Sequence, residues 1–267
     1  MYICRALYDE ARAARCRTVH LQNHDIAKLF YCCIIRAPSI ATSLRELSIK
    51  VITGWDGMEV PAFVPVLFSR LINLEILVLH FYTQGGRTFG VSVDFRLDPR
   101  WFPGLRKLST CLPPSYNHGL YQFLRTHPRL TELHIADSAS IVTAQNPATF
   151  RAPVKLPALK VVSCDAEFLS TSIDPSTVNI THMGVYAQTN DELLDVAEWV
   201  GDKLVSLRIW CRTGLGYHFG AEPWMVDELR IMFPLLRFVE VDVCVVSLFT
   251  IIPEDLSLII YRACPVV

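Results

Sequence analysis

The chain has 267 residues, of which 51% are hydrophobic and 19% are charged, so it can bury a sizeable core and lacks the composition of a disordered tail. Its 25 lysines and arginines nearly balance its 26 aspartates and glutamates, and the resulting net charge of −1 argues against nucleic-acid binding. The longest apolar stretch, residues 243–253, is shorter than the ~20 residues of a membrane helix, and the first residues show no secretory signal. We therefore expect a cytoplasmic or nuclear protein without a membrane partner.

The cysteines and histidines do not follow the spacing of a metal or disulfide site. There are 9 cysteines and no C-x-x-C pair, and the 8 histidines are spread singly along the chain. We expect reduced thiols, mostly buried, and neither a metal ion nor another cofactor.

A six-residue pattern, L-x-x-L-x-L, recurs along most of the chain. Its clearest copies begin at Leu44, Leu74, Leu105, Leu130 and Leu204. Weaker copies begin at Cys16, Leu159, Ile180 and Leu236, which gives nine units with a mean spacing of 27.5 residues. Leucine-rich repeats have units of about 20–29 residues. Within these units 26 of the 27 inward positions are apolar, the exception being Thr110, and this alternation predicts strands with one buried face.

The segments between these strands carry helical signals. Apolar residues at helical spacing precede or follow several units, as at Phe63, Val66, Leu67 and Leu71. Further stripes of this kind include Leu120, Phe123 and Leu124; Leu193, Val196, Ala197 and Val200; and Met225, Leu229 and Phe233. The pattern predicts an α/β leucine-rich-repeat solenoid, or horseshoe, with a parallel sheet on its concave face and helices on its convex face.

The ninth position of each unit departs from the usual pattern, because only Cys244 supplies the expected Asn or Cys there. We therefore predict about nine degenerate, helix-rich repeats of the ribonuclease-inhibitor-like kind over residues 15–245. Residues 246–267 are expected to form a C-terminal tail or an irregular cap.

Several segments resemble fungal F-box proteins, in which the last F-box helix runs into a leucine-rich domain. They are Arg5-Ala-Leu-Tyr-Asp-Glu-Ala11, Arg17-Thr-Val-His-Leu21, Ala27-Lys-Leu-Phe30, Ile34-Ile-Arg-Ala-Pro38 and Leu44-Arg-Glu-Leu-Ser48. The resemblance implies a substrate receptor of a ubiquitin ligase, whose repeats hold the substrate and whose F-box docks on the ligase adaptor. Residues 1–14 correspond to at most the last F-box helix, so we expect adaptor binding only if an F-box exists upstream.

These observations favour a non-enzymatic protein-interaction module of the F-box-like receptor type, with the F-box missing or truncated. One alternative is a nucleotide-binding enzyme that uses the glycine loop 214–220, although its third glycine is one residue late for a dinucleotide fingerprint. Another is a structural scaffold or gene fragment without activity of its own.

The unknown protein ligand should bind the concave face, whose residues follow from the alternation. The predicted central row comprises His20, Ser48, Val78, Ser109, His134, Ser163, Gly184, Arg208 and Glu240. Among these and their neighbours, Tyr186, Arg208 and Trp210 have the residue types that dominate binding hot spots. The predicted partner-binding residues are His134, His182, Tyr186, Arg208, Trp210 and Glu240. His134 and His182, with Glu132 and Asp165, could alternatively form a metal or acid–base site, or simply a solvated polar face.

Overall fold

The structure is a computed structural model that describes residues 16–53, 63–83, 97–110, 118–135, 152–187, 190–200, 203–211, 229, 231–243 and 259–263. In these residues strands recur along the chain, and helices lie between several of the consecutive strands. The backbone divides into two compact units, Met1–Phe150 and Arg151–Val267, which are described in turn.

The first unit contains five described strands and four described helices. The strands are β1 (Thr18–Leu21), β2 (Glu46–Thr53), β3 (Ile76–Thr83), β4 (Lys107–Thr110) and β5 (Glu132–Ile135). The helices are α1 (His24–Arg36), α2 (Pro38–Ser43), α3 (Phe63–Ser69) and α4 (His118–Thr126).

The second unit also contains five described strands. They are β6 (Val161–Asp165), β7 (His182–Ala187), β8 (Ser206–Cys211), β9 (Phe238–Val243) and β10 (Ile259–Ala263). Its described helices are α5 (Ala166–Ser172) and α6 (Asn190–Val200), with a short 3₁₀ turn at Pro175–Thr177.

Within each unit, every described strand pairs in parallel with the strand that follows it in the chain. The pairs are β1–β2, β2–β3, β3–β4 and β4–β5 in the first unit, and β6–β7, β7–β8, β8–β9 and β9–β10 in the second. Parallel neighbours need a crossover connection, and described helices lie in the connections β1–β2, β2–β3, β4–β5, β6–β7 and β7–β8. The predicted α/β class with a parallel sheet and helices is confirmed.

The strands bury one face and leave most residues of the other face partly exposed, as the two-residue period predicts. Leu77, Leu108 and Leu133 are aligned on β3, β4 and β5, and all three are fully buried. Thr110, the one polar inward residue, is also fully buried. In the second unit Val162, Met183, Leu207 and Val239 form the equivalent buried row. The core of each unit therefore lies between the buried sheet face and the helices.

Local signals in the sequence explain where the first helices begin. The Asn23 side chain accepts a hydrogen bond from the Ile26 backbone amide at 2.9 Å, which caps the start of α1. Pro38 begins α2, where its missing amide hydrogen costs nothing. One predicted stripe differs from the structure: Leu67 and Leu71 are buried with Phe68, whereas Val66 is 41% exposed.

The connection before β4 contains no helix among its described residues 97–106. Aromatic side chains pack together there instead. Phe102 is buried and makes edge contacts with Phe68 and Phe123, whose ring centroids lie 5.2 and 6.4 Å away. Its backbone adopts a left-handed conformation with φ of 55°. The buried His127 Nε2 lies 2.8 Å from the Trp101 carbonyl and 3.1 Å from that of Phe102. This contact fixes the turn against the end of α4.

Candidate functional site

The exposed sheet face of the second unit has the residue rows that the alternation predicts. Ser163, Gly184, Arg208 and Glu240 occupy one row across β6, β7, β8 and β9. The next row comprises Asp165, Tyr186, Trp210 and Asp242. Side chains two residues apart on a strand point to the same face, so these two rows share one surface.

Two aromatic rings stack at the centre of this surface. Tyr186 and Trp210 are paired in register on β7 and β8, and their ring centroids lie 4.5 Å apart at an interplanar angle of 18°. Both side chains are partly exposed. Stacked rings of this kind offer a large rigid area with polar atoms at their edges, which suits them to contact a partner.

Gly184 makes room for this arrangement. A Cβ atom at this position would lie 2.4 Å from Cζ3 and 2.5 Å from Cη2 of Trp210. The indole ring therefore lies directly over the backbone of β7, and Gly184 is buried beneath it. A larger residue at this position would displace the ring.

Arg208 and Glu240 complete the surface beside the aromatic pair. The guanidinium carbon of Arg208 lies 4.9 Å from the centre of the Trp210 ring, within the range of a cation–π contact. Its Nε lies 3.4 Å from a carboxylate oxygen of Glu240. The two charged side chains are 39% and 28% exposed, so the pair borders solvent. We call Asp165, Tyr186, Arg208, Trp210 and Glu240 the aromatic surface.

Neither of the two predicted histidines is part of the aromatic surface. His182 begins β7 on the same face as Tyr186, is exposed, and lies with its Nδ1 2.9 Å from the Thr181 hydroxyl. His134 belongs to β5 of the first unit, where its Nε2 lies 3.6 Å from a carboxylate oxygen of Glu132. The structure thus brings together four of the six predicted residues: Tyr186, Arg208, Trp210 and Glu240.

A polar cluster on the exposed face of the first unit joins the predicted residues His134 and Glu132 to residues that the sequence did not single out. His80 Nε2 and the Ser109 hydroxyl lie 2.8 Å apart, and Lys107 forms an ion pair with Glu132 at 2.7 Å. Their alternating positions were visible in the sequence. The His80–Ser109 contact is diagonal, however, because Val78 and not His80 is the register partner of Ser109. Only the three-dimensional register reveals such a pair.

Burial and neighbouring charges shift the pKa values in this cluster. Burial lowers the pKa of His80, and the positive charges of Lys50 and His134 lower it further. The pKa of His134 is also lowered, mainly by burial and then by Lys107, although Glu132 acts in the opposite direction. The hydrogen bond from Lys107 lowers the pKa of the Glu132 carboxyl. Both imidazoles are therefore poorer bases than free histidine.

A cavity of about 250 Å³ opens beside this cluster in the first unit. Its lining residues are His20, Leu21, Gln22, Glu46, Ser48, Lys50 and Val78, and five of these seven are polar. It is small for a ligand pocket, since such sites usually hold about 300–1,000 Å³.

Some of the predicted features lie on residues that the structure does not describe. Others can be compared only with the part of the chain that it describes. The glycine loop 214–220 and residues 1–14 lie outside the described residues. Among the residues that are described, no group of three or more His, Cys, Asp or Glu side chains could hold a metal ion. No described helix is long and apolar enough to cross a membrane.

No protein-family model matches the chain, and neither a curated protein nor a solved structure resembles it significantly.

Proposed function

We propose that this protein is a non-enzymatic interaction module built of leucine-rich repeats, and that its aromatic surface holds a protein partner. The observation that carries the proposal is the partly exposed stack of Tyr186 on Trp210 at the centre of a sheet face. Tyrosine, tryptophan and arginine dominate binding hot spots, and all three meet here. The nine-unit pattern and the consecutive parallel strands support the repeat interpretation and the curved solenoid that such repeats build.

The surface has the rigidity that favours binding. The Trp210 ring rests on the backbone at Gly184, and Arg208 is held by both the ring and Glu240. Side chains that are already fixed lose less conformational entropy when a partner binds. A partner could therefore gain affinity from the rings without first ordering them.

The experiment is a selection from an unbiased peptide display library on the full chain, with counter-selection on Trp210→Ala. A hot-spot residue contributes at least about 2 kcal/mol, so the selected peptides should bind Trp210→Ala about 30-fold more weakly than the unchanged chain. Tyr186→Ala should also weaken them. Ile231→Ala is the matched control, because Ile231 lies outside the strands of the same unit and is 81% exposed. Failure to obtain peptides that depend on Trp210 would contradict the proposal.

The resemblance to F-box proteins suggests that the partner is a substrate of a ubiquitin ligase. We propose a receptor of the F-box-like type, in which the repeats hold a substrate. A pull-down of the 267-residue chain with the ubiquitin-ligase adaptor tests whether this chain also docks on the ligase. We expect no capture, since by resemblance residues 1–14 correspond to at most one helix of an F-box, and a single short helix is marginal in water. Stoichiometric capture would show that this chain contains a working docking element.

A further inference from the structure

The cavity of about 250 Å³ in the first unit is lined by charged side chains of both signs. Glu46 and Lys50 lie on the same face of β2, two residues before and two residues after Ser48. We infer that this cavity binds a small zwitterion of the amino-acid class, with its ammonium group toward Glu46 and its carboxylate toward Lys50. This site is independent of the aromatic surface, which belongs to the second unit.

The first argument is the Ser48 hydroxyl, which lines the cavity without a partner. Ser48 is only 4% exposed, and within the part of the chain that the structure describes its hydroxyl makes no hydrogen bond. Buried polar side chains normally have a partner, because an unpaired buried hydroxyl loses its hydrogen bonds to water and gains none in return. A ligand carboxylate that reaches Ser48 supplies the missing partner.

The second argument is that the two opposite charges are held apart. Residues of a strand rise about 3.3 Å each, so the Cα atoms of Glu46 and Lys50 lie about 13 Å apart. Within the described residues Lys50 forms no ion pair, and the one contact of the Glu46 carboxylate is the Thr18 hydroxyl at 3.4 Å. A simple anion would be repelled by Glu46 and a simple cation by Lys50, whereas a zwitterion between them is attracted by both.

The third argument is the size and polarity of the remaining wall. His20 and Val78 are the register neighbours of Ser48 on β1 and β3, so they border it on either side. The imidazole of His20 can donate a hydrogen bond to a carboxylate, and Val78 offers an apolar contact. A cavity of about 150 Å³ holds a benzene molecule, so one of about 250 Å³ has room for about ten non-hydrogen atoms. An amino acid with a side chain of medium size meets this limit.

The experiment titrates the full chain with each of the common amino acids by isothermal titration calorimetry. The amino acid that binds most tightly is then compared with its N-acetyl derivative, which lacks the ammonium charge, and with its amide, which lacks the carboxylate charge. These three ligands are also titrated against Glu46→Gln, Lys50→Gln and Ser48→Ala. Glu132→Gln is the matched control, because Glu132 is a glutamate on the exposed sheet face of the same unit and does not line the cavity.

We expect at least one amino acid to bind saturably with a Kd below about 1 mM, and acetylation or amidation to weaken it at least about tenfold. Glu46→Gln should weaken the amino acid by a similar factor but its N-acetyl derivative less than about threefold, and Lys50→Gln should do the same for the amide. Ser48→Ala should weaken the amino acid about tenfold, since it removes a hydrogen bond to a charged group. Glu132→Gln should behave as the unchanged chain.

The absence of saturable binding by any amino acid would overturn the inference. Equal affinity of the unchanged chain for the amino acid and either derivative would also overturn it, and this comparison does not require any variant to fold. Affinity that is unchanged in both Glu46→Gln and Lys50→Gln would place the ligand outside this cavity and contradict the assignment. None of these results affects the proposed function, which is tested by the peptides selected through Trp210.

Discussion

The substitution Gly184→Ala tests how the aromatic surface is built. The new methyl carbon would lie 2.4 Å from Cζ3 of Trp210, whereas carbon atoms in contact prefer about 3.5–4.0 Å. The indole ring must therefore retreat by about 1 Å or more, which disturbs its stack on Tyr186 and its contact with Arg208. The Ser163 hydroxyl, 3.0 Å from the new carbon, can yield by rotating about a single bond.

The size of the effect follows from the interactions that are lost. An aromatic pair contributes about 0.5–1.5 kcal/mol beyond its buried area, and an exposed cation–π contact contributes about 0.5–1 kcal/mol. Against this loss, alanine stabilises a strand by about 0.5–1 kcal/mol relative to glycine. We therefore expect Gly184→Ala to lower the free energy of unfolding by between about 0 and 2 kcal/mol.

The decisive measurement is a double-mutant cycle of Gly184→Ala with Trp210→Ala. The free energy of unfolding of each variant is measured by urea unfolding, monitored by far-ultraviolet circular dichroism. Without the indole ring the added methyl has room, so Gly184→Ala should then stabilise the chain by about 0.5–1 kcal/mol. The coupling between the two positions should be about 1–2.5 kcal/mol. Equal destabilisation by Gly184→Ala in both backgrounds would refute the claim that this glycine makes room for the ring.

Three further predictions concern the core, the pH response and the alternative function. Leu108→Ala should lower the free energy of unfolding, measured with urea, by about 2–5 kcal/mol because Leu108 is fully buried. Substitution of the neighbouring residue, Ser109→Ala, should lower it by only about 0.5–1.5 kcal/mol, the usual contribution of one hydrogen bond. Similar losses for the two variants would contradict the assignment of Leu108 to the buried face and Ser109 to the exposed face. The pKa values of His80 and His134 are lower in the folded chain than in the unfolded chain. The unfolded chain therefore binds more protons as the pH falls below about 6.5, so the free energy of unfolding should decrease from its value above that pH toward pH 5. Unfolding of the double variant His80→Gln, His134→Gln should depend less on pH in that window, and an unchanged slope would contradict this. Titration with NAD or NADP should show no saturable micromolar binding, whereas saturation would favour the enzyme that uses residues 214–220.

The sequence was sufficient to predict strands β1 to β9 and their exposed rows because both depend on simple periods, whereas β10 lies within residues 246–267, where a tail or an irregular cap was expected. Apolar residues alternate within each unit, and units of similar length place equivalent residues side by side. Arg208 and Glu240 were predicted to be neighbours for this reason, as were Tyr186 and Trp210, and the observed register agrees.

The contacts that give the site its geometry could not be predicted in the same way. The position of the Trp210 ring over Gly184 depends on a side-chain rotamer and on the volume of a residue one strand away and two positions back. The diagonal contact of His80 with Ser109 likewise depends on how the two side chains lean. The left-handed backbone of Phe102 has no sequence signal, because a bulky residue adopts it only when surrounding packing compels it.

The central claim is that the aromatic surface binds a protein, and cross-linking in cells tests it most directly. A photoreactive phenylalanine analogue replaces Phe238, which is 47% exposed and lies on the exposed sheet face two residues from Glu240. The control replaces Ile231 with the same analogue. We predict a discrete protein adduct from position 238 that disappears when Trp210→Ala is added, and no such adduct from position 231. An adduct at 238 that persists without Trp210, or the same adduct from both positions, would contradict the claim.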